Sequence, residues 1–595
     1  MNRFAVSLAV LAFAAACSEA PDTPDVEPAD TETVATSETE TASAEFSDLV
    51  LPLPDATTAA ITAEDLAVRV KTLADDAFEG RGPGSEVGER APEWIAAEMA
   101  RIGLEPGGDN GSWFQTVEMV DQTLDETASS LTFSDSASGD DYPMEFGNQA
   151  VMWTKHQKEM ELSFDDSELV FVGYGVVAPE YDWNDYEGLD MTGKTAVILV
   201  NDPGFESGNP ELFKGKAMTY YGRWTYKFEE AARQGATGAI IIHEAAPAAY
   251  GWDVVKNSWS GAQADLVRAD GGAERATYEG WITLDVAKKL LGDVGLDYEE
   301  LKVAAREPGF TAVDMGDLTA SGKVVQTVEE KNSRNVIGIL PGQTAPDEYV
   351  LYTAHWDHLG KKTGEKTGAP GEDFYKDDIF NGAVDNATGV AGILDIAEAM
   401  ATQELDRSVM FLSVTLEESG LLGSAYYAEN PTVPLSSIVA GINIDAMLPT
   451  GPSKEMVVVG YGASELEDRL KAVLEAEGRT IEPDPTPETG SFYRSDHVSL
   501  AKKGVPMLYA DGGLNLVDGG IAAGKAAAEA YTVERYHKPM DEYSDSWDMS
   551  GIVEDVTALY TVGLEIAQST DWPTWYAGNE FEGARKASLA EAESE

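Results

Sequence analysis

The sequence predicts an α/β fold in which helices cover both faces of a mixed, mostly parallel sheet. Three observations support this prediction. Beyond about residue 330, short apolar strands alternate with helical segments, as they do in parallel sheets. Between about residues 150 and 315, strand-like runs are separated by Gly and Pro turns, which indicates a second, strand-rich module. At 595 residues, the chain is also too long for one ordinary hydrophobic core.

The first residues have the pattern of an export signal. Arg3 precedes the apolar run 4–16, which is too short to span a bilayer. Cys17, the single cysteine, follows three alanines, and this pattern resembles a bacterial lipobox. We therefore expect residues 1–17 to be a lipoprotein-type signal peptide, with an ordinary secretory signal as the alternative. Membrane contact is expected only through a lipid anchor at Cys17. The expected location is the periplasm or the cell envelope, at the outer membrane, or the medium if the protein is simply secreted.

Charge and composition limit the partners and the folded regions. The formal net charge of −64 argues against nucleic acid as a partner, because phosphate binding requires a basic surface. Residues 18–55 contain no Lys or Arg and few apolar side chains, so we expect a disordered acidic linker. Residues 579–595 are expected to form a charged tail that frays. The folded regions are then residues 56–150 and 321–578, which form one domain, and a strand-rich insert at 151–320.

Helices are expected at the start of the first folded region. Thr62 can cap a helix whose apolar stripe consists of Leu66, Val70 and Leu73. A second helix is predicted over residues 86–102, because Gly103 follows as a stop signal.

The later elements follow from apolar runs and turn residues. In the insert, we predict strands at 169–177, 195–200 and 239–242 and a helix at 227–234. In the last region, we predict strands at 335–340, 349–354, 408–416, 438–444 and 505–509, and helices at 388–402, after Gly420 and at 464–477.

Acidic and histidine residues recur where these predicted strands end. The apolar strand 349–354 runs directly into His355. Asp357 lies two positions further on, where its carboxylate can bind the far imidazole nitrogen and fix the tautomer of a metal-binding histidine. The adjacent His358 has no such partner by spacing, and we interpret it as a loop residue.

Further carboxylates follow the same rule. Glu417 and Glu418 end an apolar strand, and adjacent carboxylates are costly to desolvate unless cations neutralise them. Neighbours in an extended segment point in opposite directions, so one can bind a metal while the other addresses water. Asp385 precedes a helix, where it can cap the helix, approach two cations, or do both. Asp445 also ends a buried strand, whereas His537 lies in an irregular loop.

Taken in order, these motifs resemble metallopeptidase family 28, which comprises co-catalytic zinc aminopeptidases and glutamate carboxypeptidases. The short sequence motifs around these residues match as well, namely DNATG at 385–389, EESGLLGS at 417–424, SDH at 495–497 and YH at 536–537. The resemblance covers about residues 60–140 and 325–570. The segment between them, with VGYGV at 172–176, resembles the protease-associated (PA) domain that many members carry as an insertion.

The resemblance implies a three-layer α/β/α zinc-peptidase domain with two divalent metal ions. We expect Zn²⁺, with cobalt or manganese as alternatives. The roles it implies are one metal held by His355 and Asp445, a second held by Glu418 and His537, Asp385 as the bridge, Glu417 as the general base and Asp357 as the support of His355.

The implied activity is that of an exopeptidase, namely an aminopeptidase that removes the N-terminal residue of peptides through a water shared by two metals. One alternative is a glutamate carboxypeptidase-like enzyme, which would need an arginine cluster. Arg494 and Arg535 lie near the motifs, but the sequence reveals no cluster. A second alternative is a non-catalytic receptor or binding protein on the same fold, which we would expect to have lost ligands. His497 is expected to shape the pocket, and either Tyr493 or Tyr536 to assist the oxyanion.

Overall fold

The computed structural model describes residues 57–362, 378–592 and 594. The predicted signal peptide, the lipidation site Cys17 and the linker 18–55 lie outside these residues, so they stay predictions. Within the described part of the chain, no helix combines the length and the apolar content needed to cross a bilayer.

Most strands belong to two sheets that share one strand. The strands are β1 (Glu105–Pro106), β2 (Phe114–Leu124), β3 (Ser130–Asp135), β4 (Asp140–Pro143), β5 (Ala150–Trp153), β6 (Glu161–Phe171), β7 (Val177–Ala178), β8 (Trp183–Asn184), β9 (Thr195–Leu199), β10 (Gly238–His243), β11 (Ala262–Leu266), β12 (Tyr278–Thr283), β13 (Val313–Leu340), β14 (Ala345–His355), β15 (Gly360–Lys361), β16 (Ile379–Phe380), β17 (Arg407–Val414), β18 (Ile438–Asn443), β19 (Glu455–Val458), β20 (Thr480–Pro483) and β21 (Met507–Gly512).

The helices alternate with strands mainly in the last part of the chain. They are α1 (Ala63–Leu73), α2 (Arg90–Ile102), α3 (Trp224–Arg233), α4 (Ala245–Ala248), α5 (Trp252–Ser258), α6 (Leu284–Asp293), α7 (Tyr298–Ala304), α8 (Thr388–Met400), α9 (Leu422–Glu429), α10 (Leu466–Glu477), α11 (His497–Ala501), α12 (Gly520–Glu534), α13 (Ser550–Ala567) and α14 (Glu582–Ala592).

The first sheet carries the candidate site. Its order is β11-β2-β13-β17-β14-β18-β21-β19-β20, and the four strands β17, β14, β18 and β21 run parallel at its centre. Leu351 faces a core that includes Tyr427 of α9 and Leu500 of α11. On the opposite face, Tyr352 stacks on Phe411 and donates its hydroxyl to Leu559 O of α13 at 2.8 Å. Helices therefore cover both faces, which confirms the predicted α/β fold with its mixed sheet.

The second sheet is formed mainly by the middle of the chain. Its order is β4-β3-β13-β6-β9-β10-β12-β5, with β6, β9, β10 and β12 parallel. Its interior is apolar, with Phe171, Val197 and Ile240 in one buried cluster. The sheet begins at Ser130, earlier than residue 151, where the sequence analysis placed the start of the insert. The earlier boundary arises because β3 pairs with the shared strand β13.

The shared strand β13 spans 28 residues. Its first part, through Val325, pairs with β6 and β3 in the second sheet. From Gln326 onward it pairs with β2 and then β17 in the first sheet. The sequence analysis expected only residues 335–340 of this strand, because the rest lacks a continuous apolar run.

The first and the last helix of the described chain are stabilised differently, α1 by a local capping residue and α14 by packing. Thr62 accepts a hydrogen bond from Asp65 N at 3.1 Å, which confirms the predicted cap of α1. At the other end, α14 lies where the sequence analysis expected a frayed tail. Its Arg585 is buried and donates to Ile438 O at 2.8 Å, so a buried charged hydrogen bond holds this helix against the first sheet.

Candidate metal centre

The site residues converge because three parallel strands end at one edge of the first sheet. His355 is the last residue of β14. Glu417 and Glu418 follow the end of β17, and Asp445 follows the end of β18. In α/β sheets, the crevice outside the carboxyl ends of the strands is the usual ligand site.

Asp385 lies at the centre of the cluster. Its Oδ1 is 3.3 Å from His355 Nε2, and its Oδ2 is 3.3 Å from His537 Nε2. His355 Nε2 is also 3.2 Å from Asp445 Oδ1, and His537 Nε2 is 3.1 Å from Glu418 Oε2. One carboxylate is thus shared between two imidazole–carboxylate groups, and the predicted metal ligands all lie together.

The backbone around Asp385 explains how that carboxylate stays available. It lies in the turn Ala383–Ala387, directly before α8. The side chain of Asn386, and not that of Asp385, accepts from Gly389 N at 2.9 Å and from Ala446 N at 3.1 Å. Asp541 accepts from the backbone N of Asp385 at 3.1 Å. Of the two roles left open by the sequence, the structure therefore gives the helix-start hydrogen bond to Asn386.

Asp357 supports the cluster differently from the expectation. Its backbone carbonyl, and not its carboxylate, lies 3.1 Å from His355 Nδ1, whereas its Oδ1 is 3.8 Å from that nitrogen. The carboxylate instead accepts from the backbone N of Glu417 at 3.1 Å and of Glu418 at 3.4 Å. Asp357 therefore orients both the imidazole and the Glu417-Glu418 turn.

His358 lies in the loop between β14 and β15, as expected, but this loop residue belongs to the cluster. Its Nδ1 lies 2.6 Å from Glu418 Oε1, and the residue is 1% exposed. His358, Asp385 and Glu418 offer ligand atoms within 4.8 Å of one another, as do His355, Asp385 and Asp445. The local sequence around His358 carried no signal for this contact, because Glu418 lies 60 residues away in sequence, in the turn after β17.

Arg81 is a buried residue that binds backbone carbonyls next to the site residues, and the sequence analysis did not identify it. The side chain is 1% exposed, and its guanidinium donates to Trp356 O at 2.7 Å and to Gly382 O at 2.8 Å. It also donates to Leu73 O at 2.8 Å. Burial lowers the pKa of Arg81 to about 10. One cation thus ties the His355 loop to the turn that carries Asp385.

The protonation of the cluster reflects several buried carboxylates in a small space. Burial acts to lower the pKa of His355, yet Asp445 and Glu417 raise it well above its ordinary value. Against the same opposing effect of burial, Glu418 and Asp385 raise the pKa of His537 to about 10. Burial, and then the neighbouring carboxylates, raises the pKa of Glu417 well above its ordinary value. Divalent cations would neutralise such a set of groups.

The side chains near the rim differ in their access to the cluster. Tyr493 donates its hydroxyl to Glu580 at 2.7 Å and is thereby engaged elsewhere. Tyr536 stacks on His537 with ring centroids 3.9 Å apart and is 43% exposed. His497 packs against the ring of Phe492 at 4.5 Å, and burial lowers its pKa to about 3, so it is a neutral packing residue. Ser495 donates to Asp445 Oδ2 at 2.7 Å and fixes that carboxylate.

The donor set fits divalent cations. Imidazole nitrogens and carboxylate oxygens are the ligands of co-catalytic zinc and related metals. Neither ring nitrogen of the buried His358 has a hydrogen-bond partner of good geometry. A buried polar group without such a partner is costly, and a bound cation would satisfy it.

Fold and site together define an α/β protein with a candidate two-metal centre at the carboxyl ends of parallel strands. Residues 335–561 match the family model described as "Peptidase family M28". Over these residues, the chain is similar to this peptidase family.

The individual relatives are distant and partial. Aminopeptidase NAALADL1 of Rattus norvegicus is 32% identical over 149 residues, which are 23% of this chain and 17% of that protein. Leucine aminopeptidase 2 of Trichophyton equinum is 27% identical over 230 residues, which are 36% of this chain and 41% of that protein. The chain thus spans less than half the length of these relatives. Among solved structures, an aminopeptidase from Aneurinibacillus sp. strain AM-1 aligns with 86% of this chain and 95% of its own, at 18% identity and a TM-score of 0.46.

Proposed function

We propose that this protein is an aminopeptidase that uses two divalent cations, expected to be Zn²⁺, to remove the N-terminal residue of peptides. The observation that carries the proposal is the position of Asp385, whose two carboxylate oxygens each lie 3.3 Å from a different imidazole. A carboxylate shared in this way is what two adjacent cations require as a bridge. The matched relatives, which are named as aminopeptidases, support the reaction class.

The residues divide into two ligand groups. His355, Asp385 and Asp445 would hold one cation, and Asp385, Glu418 and His537 the other. The imidazole of His358 lies against Glu418 and would contribute to the second position. When bound, the cations would supply Lewis acidity, which lowers the pKa of an attacking water and polarises the scissile carbonyl.

The chain itself would move the proton. Glu417 takes a proton from the attacking water as the oxygen of that water bonds to the carbonyl carbon. The C–N bond then breaks, and Glu417 returns the proton to the departing amine. Asp357 accepts from the backbone N of Glu417 and so keeps the base at the rim of the cluster. Tyr536, which stacks on His537, would donate to the developing oxyanion.

The predicted accessory regions belong to the same proposal. The strand-rich part of the chain is proposed to be a PA domain, on the sequence resemblance stated above. Export as a lipoprotein anchored at Cys17 is proposed for the precursor. Incorporation of labelled palmitate into the wild-type protein, but not into Cys17→Ser, tests the anchor in a bacterial host.

A hydrolysis assay tests the activity. Purified protein is expected to release p-nitroaniline from leucine-p-nitroanilide and to lose this activity on chelation, with recovery when Zn²⁺ is added back. Elemental analysis should find two bound ions. The N-acetylated substrate should be inert, because an aminopeptidase requires the free α-amine. Equal cleavage of the acetylated substrate would exclude an aminopeptidase, and activity that survives complete metal removal would exclude the metal mechanism.

A further inference from the structure

Two arginines from distant parts of the chain meet beside Tyr250. The guanidinium carbon of Arg494 lies 5.7 Å from the centroid of the Tyr250 ring. Arg223, just before α3, acts electrostatically on the same tyrosine. Burial, and then the charge of Arg494, lowers the pKa of Arg223 to about 10. The two like charges are therefore close enough to repel each other.

Neither guanidinium has an acidic partner within the described ranges. Arg223 Nε and both Nε and Nη2 of Arg494 are buried without a hydrogen-bond acceptor. The chain has 105 acidic and 41 basic residues, so acids are abundant. Buried N–H groups are normally satisfied, and an unsatisfied charged donor is costly. An unpartnered pair in such an acidic chain indicates that its acceptor is an external anion.

The carboxylates around the pair are already engaged. Tyr220 donates to Glu229 at 2.6 Å, and the ring of Tyr220 lies 3.9 Å below the ammonium of Lys502. Glu580 accepts from Lys214 at 3.1 Å and from Tyr493 at 2.7 Å. Lys502 therefore adds a third basic side chain to this neighbourhood.

The backbone of Arg494 adjoins the candidate metal centre. Arg494 directly precedes Ser495, whose hydroxyl donates to Asp445 Oδ2 at 2.7 Å. Consecutive Cα atoms are about 3.8 Å apart, so the backbone of Arg494 adjoins a residue bonded to a candidate ligand. On the other side, Met218 N donates to Pro487 O at 3.1 Å and joins the segment before Arg223 to the segment before Arg494.

We propose that Arg223 and Arg494 form a subsite that binds a carboxylate of the peptide substrate. The guanidinium fork matches the two oxygens of a carboxylate, and burial strengthens the contact. The carboxylate is either the C-terminus of a short peptide or an acidic side chain, since both present the same group. This inference rests on the proposed peptidase function.

Matched pairs of substrates distinguish a C-terminal carboxylate from an acidic side chain as the group that the subsite binds. The first arm compares kcat/KM for Leu-Gly with that for Leu-Gly-amide. The second arm compares Leu-Glu-amide with Leu-Gln-amide. Wild-type protein should prefer the charged member of one pair by about tenfold or more, and Arg223→Gln and Arg494→Gln should each remove most of that preference. Leucine-p-nitroanilide, which has no carboxylate, should be cleaved with little change by both variants.

Binding provides a readout that does not need turnover. Isothermal titration calorimetry of the zinc-loaded protein with a Leu-Gly analogue in which CH2–NH replaces the peptide bond, and with the amide of that analogue, should show the same preference. Arg223→Lys and Arg494→Lys should retain part of it, because lysine keeps the charge but lacks the fork. Arg469→Ala, which removes an arginine paired with the exposed Asp571, is the control and should change nothing.

Failure of the proposed subsite can be distinguished from failure of the proposed peptidase function. Cleavage of leucine-p-nitroanilide with no carboxylate preference in either arm, or with a preference that survives both substitutions, overturns the subsite and leaves the proposed function intact. Absence of cleavage of every substrate by zinc-loaded protein overturns the proposed function. If the calorimetric preference is also missing, the subsite is overturned with it.

Discussion

His358 and Glu418 form the shortest imidazole–carboxylate contact of the candidate metal centre, with Nδ1 2.6 Å from Oε1. This contact predicts that His358→Ala weakens the second cation position while the group of His355 and Asp445 stays intact. The affinity for one ion should fall about 10- to 100-fold, the range known for residues that orient metal ligands. Metal content after dialysis at graded free Zn²⁺ measures it. His156→Ala, a substitution in the strand-rich part, is the control. Two ions bound as tightly as in the wild type would contradict the assignment.

Asp385 should matter to both cations, because its two oxygens face two different imidazoles. Asp385→Asn is expected to reduce metal content below one ion per chain under conditions in which the wild type holds two. Ser495→Ala is the comparison, since Ser495 only supports Asp445 and should leave both ions bound with lower affinity. A fully loaded Asp385→Asn protein would rule out the bridging role.

Glu417→Gln should separate binding from chemistry. The substitution keeps the shape and leaves the metal ligands in place, so metal content should be unchanged. The kcat for leucine-p-nitroanilide should fall at least about 100-fold, which is the lower bound for the loss of a general base. Glu418→Gln is the matched neighbour and should instead lose metal. A Glu417→Gln enzyme with near-normal kcat would mean that another group accepts the proton.

Arg81 should be a stabilising residue with an effect on the site. Its guanidinium joins Trp356 O and Gly382 O inside the protein. Arg81→Met removes these charged hydrogen bonds and leaves buried carbonyls without donors, which should lower the free energy of unfolding by at least about 3 kcal/mol. Urea denaturation measures the change. Arg306→Ala, at a partly exposed residue paired with Glu206, should cost less than about 1 kcal/mol. An equally small decrease in the free energy of unfolding for Arg81→Met would show that these hydrogen bonds contribute little to stability.

The pair of arginines beneath α8 predicts a pH dependence. Burial acts to raise the pKa of Glu398, but hydrogen bonds from Arg101 and Arg69 lower it below its ordinary value of 4.5. The folded state therefore binds fewer protons at this group than the unfolded state near pH 4. The stabilisation is fully present above pH 4.5 and is lost as the pH falls through the folded pKa.

Glu398→Gln should thus be less stable than the wild type at pH 7, by about 1–3 kcal/mol. The difference should shrink as the pH falls below 4.5, and denaturation at pH 7, 5, 4 and 3 follows it. Asp293→Asn, which breaks an exposed pair with Lys289, serves as the control and should show almost no difference at pH 7. A difference that is constant over this pH range would contradict the linkage.

Local sequence patterns predicted the elements that carry the site. An apolar run that ends in His355 or Asp445 predicts a strand end, and parallel strands bring their ends to one edge without further information. The same patterns could not identify the atom that makes each contact. Asp357 is close to His355 as expected, but it contacts the imidazole through its backbone carbonyl, and its carboxylate accepts from the backbone N of Glu417 after β17.

Contacts between distant segments lay beyond sequence reasoning. His358 is buried by Glu418, and Arg81 by carbonyls more than 270 residues away in sequence. Arg223 and Arg494 belong to elements that the spacing of motifs cannot bring together. Strand β13 was recognised only at its apolar end, since its earlier part serves the second sheet with a mixed polar pattern.

Because β13 runs through both sheets, continuous strand backbone joins the sheet that carries the candidate site to the strand-rich one. At about 3.3 Å per residue, this strand extends over roughly 90 Å of continuous backbone. A protease that removed the strand-rich part would have to cut through paired backbone and leave a ragged sheet edge. A rotation of one sheet relative to the other would likewise twist β13, and the twist would change the strand in both sheets.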